Sequence, residues 1–441
     1  MTAEGLERQI AQLRELVSPR VGIVRDLIRI PRSDDEPVPP ILYRARLSNF
    51  DFKTASAVER DAAGKGLTEP EAIGGAIGEA IEHYCGSHPT IEHIRRAKLS
   101  AVGPDAVRPV DCVLFSKAQY ATPGFPYRPL SEDTELDWLP VTELSSGRTV
   151  LAPAALIHLN PPPRPPEETL CPSTSNGLAA GPDLASAIVS GLCELAERDG
   201  FLVHWMNRLP APELQLAVDD PVISGIVTHY RRFGVETRIF DISTDLPMYA
   251  MMAVTLDHSG NGPAAVFALG CNLDPRRAVI KSLFEMCQVR PGVARSTEAV
   301  PGMKPIARYQ DIHTLQDHSG YFADLTHLQE IDFLLAGGPR KKLGDLPNRS
   351  LGSAEADLQV CVTGLTAAGH RAVFAELTTD DLSGYPIRVV RTIAPGLQPM
   401  HFGFGQERLG GRRLFELPYR LGYAAASRGE DDLNPCPHPL A

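Results

Sequence analysis

The sequence predicts a mixed α/β fold, and three observations carry that expectation. Short runs rich in β-branched and aliphatic residues are bounded by turn signals. They alternate with helical segments, as in α/β or mixed α+β architectures. One helical pattern also occurs three times, at residues 72–79, 187–194 and 278–285, with small and aliphatic residues at the same offsets.

In chain order, the first residues to about Val17 form an amphipathic helix. They lack the charged segment leading into an apolar stretch that marks a signal peptide. A glycine turn, Gly64-Lys65-Gly66-Leu67, precedes the first copy, which ends in Glu79 and continues to Glu82. Residues 154–159 are expected as a strand. The proline-rich run 160–166 cannot be helix and reads as an extended loop. A second glycine turn, 175–181, precedes the second copy with Glu194 and Glu197. Strands at 237–242 and 251–256 come before the third copy, where Glu285 is followed by Gln288 in place of a second acid. Residues 336–349 read as loose chain, 351–368 as helix and 388–393 as strand. The last residues are Asn434-Pro435-Cys436-Pro437-His438-Pro439-Leu440-Ala441. Prolines at every second position stiffen them into an extended form at low entropic cost. No long low-complexity linker interrupts the chain. The expected organisation is therefore an N-terminal helical extension over 1–18 and one catalytic domain over 19–441, with the three copies as equivalent elements around a common centre.

Composition narrows the function classes. The 441 residues are 43% hydrophobic and 22% charged, ordinary for a soluble globular protein. A net charge of −11 without a basic stripe speaks against a general binder of nucleic acid or anionic membranes. No apolar run is long enough to span a bilayer. The eight cysteines are scattered, which points to buried thiols in a reducing cytoplasm.

The chemistry rests on the repeated acids. Glu-x-x-Glu on a helix sets two carboxylates on one face, and like charges repel unless a cation sits between them. Such pairs usually mark a solvated face. Here Gly78, Ala80 and Ile81, then Cys193, Leu195 and Ala196, surround them with small and apolar residues. Mg²⁺ takes one or two carboxylates and completes its octahedron with water and phosphate oxygens, so Glu79, Glu82, Glu194 and Glu197 suit a metal–phosphate site. Arg198 and Lys281 supply cations for phosphate oxygens. No Walker A loop, dinucleotide fingerprint, zinc spacing or Gly-x-Ser-x-Gly elbow occurs. His83, His88, His93, His318 and His401 read as packing or surface residues.

Together these residues resemble the YcaO superfamily, specifically the azoline-forming, SagD-like cyclodehydratases. The resemblance runs from about Pro19 to Ala441. Its carriers are Gly64 to Thr68 with Gly78 to Glu82, Ser175 to Gly181 leading to Glu194 to Asp199, and Trp205 to Pro210. Asp241 to Pro247, Glu285 to Arg290, Pro395 to Gly403 and the Pro-x-Pro-x-Pro tail follow in order. The resemblance implies ATP-dependent cyclodehydration of Cys, Ser or Thr in a ribosomally made precursor peptide. It assigns Glu79, Glu82, Glu194 and Glu197 to Mg²⁺ and ATP, Arg198 and Lys281 to phosphates, and Glu285 to completing the nucleotide site. Pro435, Pro437 and Pro439 would position the carboxylate of Ala441 for proton transfer. The chain departs from the family pattern at Pro182 and Ser186, where Asn and Glu are common, at Lys281 for Arg, and at His83 for Arg. The resemblance further implies a separate leader-binding partner of the ubiquitin-activating (E1-like, ThiF-like) type, a flavin dehydrogenase as a further partner, and a homodimer of this subunit. Two alternatives stay open, a thioamide-forming enzyme on the same fold and a non-catalytic docking scaffold.

Overall fold

The structure is a computed structural model that describes residues 3–48, 61–88, 93–161, 164–216, 219–298 and 306–440. Its contacts divide the chain into two compact units. The first comprises residues 1–31, 41–195 and 352–397, the second 32–40, 196–351 and 398–441.

The first unit opens with α1 (Ala3–Leu13) and the strands β1 (Val24–Arg29), β2 (Ile41–Leu47) and β3 (Asp61–Gly66). Next come α2 (Glu69–Ser87), β4 (Arg95–Lys98), α3 (Lys117–Ala121), β5 (Glu135–Glu143), β6 (Thr149–Pro153) and β7 (Leu178–Gly181). Then α4 (Leu184–Met206) begins in the first unit and ends in the second. The second unit adds β8 (Glu213–Gln215), α5 (Pro221–Arg232), β9 (Glu236–Asp241), β10 (Tyr249–Leu256), β11 (Ala265–Asn272) and α6 (Pro275–Glu298). It continues with α7 (Leu315–Phe322), α8 (Asp332–Leu335) and β12 (Arg340–Lys342). The first unit resumes with α9 (Ala354–Ala367), β13 (Val373–Glu376) and β14 (Arg388–Ile393), and α10 (Arg413–Arg420) returns to the second.

Three sheets result. The first unit holds the antiparallel sheet β1-β2-β3 and the sheet β4-β5-β13-β14-β7, with β6 also paired to β5. The second unit holds β11-β10-β9-β8-β12, antiparallel except for β12 against β8. Every residue of β10 is buried, as a central strand covered on both faces must be.

The repeated helices share one local construction. In each copy a strand paired antiparallel with a neighbour (β3 with β2, β7 with β14, β11 with β10) runs into the helix through a two-residue turn. The turn ends in a capping side chain. Thr68 Oγ1 accepts the Glu71 amide, Asp183 Oδ1 the Ser186 amide, and Asp274 Oδ1 the Arg276 amide. Each cap satisfies an orphan donor of the first turn. The helix then lies directly on its own strand because the strand carries glycine where they touch. A side chain on Gly64 would meet the backbone of Ala72 and Ala76, on Gly181 that of Ala187, and on Gly270 that of Ala278 and Ser282.

The inward face of α2 follows from helical spacing. Ile73, Ala76, Ile77, Ala80 and Ile81 are buried in one core that also holds Val141, Val150 and Val389. Each buried isoleucine contributes roughly 1.5–3 kcal/mol. The second unit repeats the scheme, with Ala278, Val279 and Leu283 of α6 packed on Met251 and Ala253 of β10.

Several expectations are corrected. Residues 154–159 are not a strand: the β6 ladder stops at Pro153 and Ala154–Leu156 form a 3₁₀ turn. Proline offers no amide to continue the ladder. The N-terminal helix ends at Leu13 and passes into a 3₁₀ turn before Val17. The stretch 336–349 is not wholly loose, because it supplies β12. Pro162, Pro163 and Ala441 lie outside the described residues. No helix among the described residues is long and apolar enough to cross a membrane.

Candidate functional site

The common construction fixes where the acids fall. Glu79, Glu194 and Glu285 each lie eleven residues after their N-cap, Thr68, Asp183 and Asp274, so the three occupy the same station on their helices. Glu82, Glu197 and Gln288 follow one turn later.

In the first unit, backbone amides hold three of these carboxylates. The Ala63 amide donates to Glu79 Oε2, the Ala180 amide to Glu82 Oε2 and the Gly177 amide to Glu194 Oε2, each at 3.1 Å. The donors belong to β3, to β7 and to the turn before β7. Glu79 is thus held by the strand that leads into its own helix, Glu82 by the strand that leads into α4, and Glu194 by the turn before that strand. The glycine turn at 175–181 thus presents an amide to a carboxylate of this chain. Burial first, then the charges of Glu194 and Glu79, drive the Glu82 carboxyl well above its ordinary value, against the Ala180 amide and Arg391. Burial and like-charged neighbours act in the same direction here, both favouring the neutral carboxyl.

Arg391 of β14 is the buried cation of this cluster. It donates to the carbonyls of Ile157 at 2.9 Å, Asn176 at 2.7 Å and Thr174 at 2.7 Å, pinning the turn before β7. Burial lowers it to about 10, while Glu194 and Glu82 oppose the fall, and it stays charged at neutral pH. His158 beside it is fully buried with neither ring nitrogen hydrogen-bonded. Burial and then Arg391 push it down to about 4, so it is neutral.

The second unit carries the other candidates. Glu197 Oε1 and Arg198 Nη1 are 3.5 Å apart on α4. Lys281 is exposed on α6, and Glu285 is partly buried one turn on. Asp199, fully buried, accepts Arg413 Nε at 2.7 Å and Nη2 at 2.8 Å, and the Gln398 amide at 2.9 Å. Arg413 also reaches Asp245 at 2.6 Å. Burial works against the Arg413 charge, but Asp199 and Asp245 outweigh it and raise its pKa. This network fixes the helix segment that bears Glu197 and Arg198.

The tail lies in the second unit and is buried from Cys436 to Leu440, Pro437 and Pro439 included, with Pro435 exposed. Asn434 Nδ2 donates to the Trp205 carbonyl at 3.2 Å, and Trp205 Nε1 to the Cys436 carbonyl at 3.0 Å. Burial first, and then the neighbouring His318, His401 and Arg198, depress the His438 pKa. Arg198 and the tail are therefore electrostatic neighbours.

The donor set suits Mg²⁺, with hard carboxylate oxygens and no thiolate or imidazole among them. Among the described residues no three His, Cys, Asp or Glu side chains close on one point as a protein-only metal cage. Mg²⁺ needs none, because water and phosphate complete its shell. Pro182 and Ser186 sit in the turn and first helical residues around the Asp183 cap, where Ser186 contributes its amide.

Residues 63–398 match the family model described as YcaO cyclodehydratase, ATP- and Mg²⁺-binding. An uncharacterized protein of Methanothermobacter thermautotrophicus is 30% identical over 361 residues, covering 79% of this chain and 84% of its own. A heterocyclase solved in complex with substrate and cofactor superposes with a TM-score of 0.83 at 26% identity, over 99% of this chain. The chain spans 57% of that heterocyclase's length. The YcaO protein of Methanopyrus kandleri, bound with AMPPCP and Mg²⁺, shares the fold with a TM-score of 0.63 at 20% identity, over 90% of each chain.

Proposed function

This chain belongs to the YcaO cyclodehydratase family, and from that premise we propose that it forms azolines in a ribosomally made precursor peptide at the expense of ATP. The observation that carries this reading is the gathering of Glu79, Glu82 and Glu194, where burial first and then the charges of Glu194 and Glu79 raise Glu82, a setting that a bound cation would relieve.

In the proposed reaction a Cys, Ser or Thr side chain gives up its S–H or O–H proton and adds to the preceding backbone carbonyl. That oxygen is phosphorylated, and its departure as phosphate, with loss of the amide proton, leaves a thiazoline or oxazoline. Bound Mg²⁺ and ATP supply the phosphoryl group and neutralise its charge. Glu79, Glu82, Glu194 and Glu197 are the proposed holders of the metal, Arg198 and Lys281 the phosphate contacts, and Glu285 the remaining nucleotide residue. Phosphoryl transfer is catalysed mainly by positioning and electrostatics, which carboxylates on capped helices suit. Pro435, Pro437 and Pro439 hold the tail extended so that the Ala441 carboxylate serves proton transfer.

In this proposal residues 19–441 act as one catalytic domain in the cytoplasm. An E1-like, leader-binding protein presents the peptide, a flavin dehydrogenase oxidises the rings, and the subunit pairs with a second copy. The product is a thiazole- or oxazole-modified peptide of the bacteriocin kind.

Mass spectrometry of the cognate precursor tests the reading, with the leader-binding partner, ATP and Mg²⁺ present. Wild type is expected to remove one water per ring formed, while Glu197→Gln and a chain truncated after Asn434 remove none. An unchanged peptide mass with wild type and a functional partner would overturn it in favour of a docking scaffold.

A further inference from the structure

The alternating tail has a polar logic of its own. Prolines at 435, 437 and 439 have no amide to satisfy, so the tail's buried carbonyls are what need partners. Trp205 Nε1 takes the Cys436 carbonyl at 3.0 Å, and His318 Nδ1 takes the His438 carbonyl at 2.7 Å. We propose that His318, on α7, is a positioning residue for the C-terminal tail, clamping the His438 carbonyl through its neutral Nδ1–H tautomer. This rests on the tail's proposed role in proton transfer.

The tautomer follows from the partners. The Gly403 amide donates to His318 Nε2 at 3.0 Å, so that nitrogen carries a lone pair and the proton sits on Nδ1. The neighbouring ring is fixed in the same way, because His438 Nε2 lies 2.7 Å from the His401 carbonyl and donates to it. The two imidazoles stack with centroids 4.0 Å apart and planes 7° apart, an arrangement suited to two neutral rings. His318 is fully buried, and burial, as its largest effect, holds it down to about 4. The helix α7 has anchors besides this pair of bonds. That helix has its own capping box, in which Thr314 and Asp317 satisfy the first-turn amides, and it anchors itself in the core through Phe322. The His318 side chain thus ties the tail's His438 carbonyl to the Gly403 amide.

The test compares His318→Phe, which keeps the stacked ring and loses both hydrogen bonds, with His318→Gln, whose amide can donate to His438 and accept from Gly403. The Phe variant is expected to lower kcat about tenfold or more with KM for ATP unchanged. It should also speed hydrogen exchange at the Cys436 and His438 amides, and the Gln variant should recover both. Wild-type kcat and wild-type tail exchange in the Phe variant would overturn the proposal. If the Phe variant does not fold, His318→Met against His318→Gln carries the same comparison. Deletion of residues 435–441 separates the two readings. An active deletion variant overturns the tail's role in the chemistry, whereas an inactive one beside a fully active Phe variant overturns only the assignment to His318.

Discussion

Glu82 is where the candidate site's chemistry becomes measurable in a single group. Its folded-state pKa lies above the ordinary 4.5, raised by burial and by Glu194 and Glu79. Between that value and the raised one, the folded protein holds more protons than the unfolded chain. Without metal, stability therefore falls as pH rises through this window and levels off above the folded pKa. One group contributes at most about 1.4 kcal/mol per pH unit. Urea midpoints measured against pH should show this fall in wild type and lose Glu82's share of it in Glu82→Gln. A pH profile unchanged by the substitution would mean that neither burial nor the neighbouring acids raise Glu82. The acids themselves were legible in the sequence, because spacing alone puts Glu79 and Glu82, or Glu194 and Glu197, on one face. Arg391 was not: a lone arginine inside a strand carries no local signal that it will bind the turn at 174–176. The histidines also read as unrelated, since His318, His401 and His438 meet only through tertiary structure.

The helical elements were legible for a reason that extends to their weak points. The periodic apolar pattern identified α2, α4 and α6, but the strands beneath them were not legible: residues 64–66 and 178–181 read as glycine turns, and β11 was not singled out. β7 has four residues and β3 is largely glycine and alanine, which gives little strand signal. What those strands offer is thinness. Gly64→Ala and Gly270→Ala each put a methyl into the backbone of the helix above, and each should destabilise by about 1–3 kcal/mol. Gly225, inside α5, has nothing within 4 Å of the position a Cβ would take. Gly225→Ala should stabilise by roughly 0.5–1 kcal/mol, the helix-propensity difference alone. Chemical denaturation of the three variants decides the matter, and equal effects would mean that the close approaches do not constrain the fold.

At the scale of the whole molecule, a ligand that binds the folded chain alone raises its stability by mass action. Mg²⁺ with ATP at a hundred times its dissociation constant should add about 2.7 kcal/mol. Differential scanning fluorimetry should show the gain with both present, its loss on chelation, and a smaller shift in Glu82→Gln and Glu197→Gln. No shift in wild type would count against the proposed nucleotide site. The constant interval of eleven residues from cap to acid has a last consequence for how such a chain can vary. A helix turns by about 100° per residue. A single residue inserted or deleted between Thr68 and Glu79, Asp183 and Glu194, or Asp274 and Glu285 would swing the acid to another side of its helix. Point substitutions along these intervals leave that bearing untouched. In these three stretches length is constrained more tightly than identity, and among relatives gaps should be rarer there than mismatches.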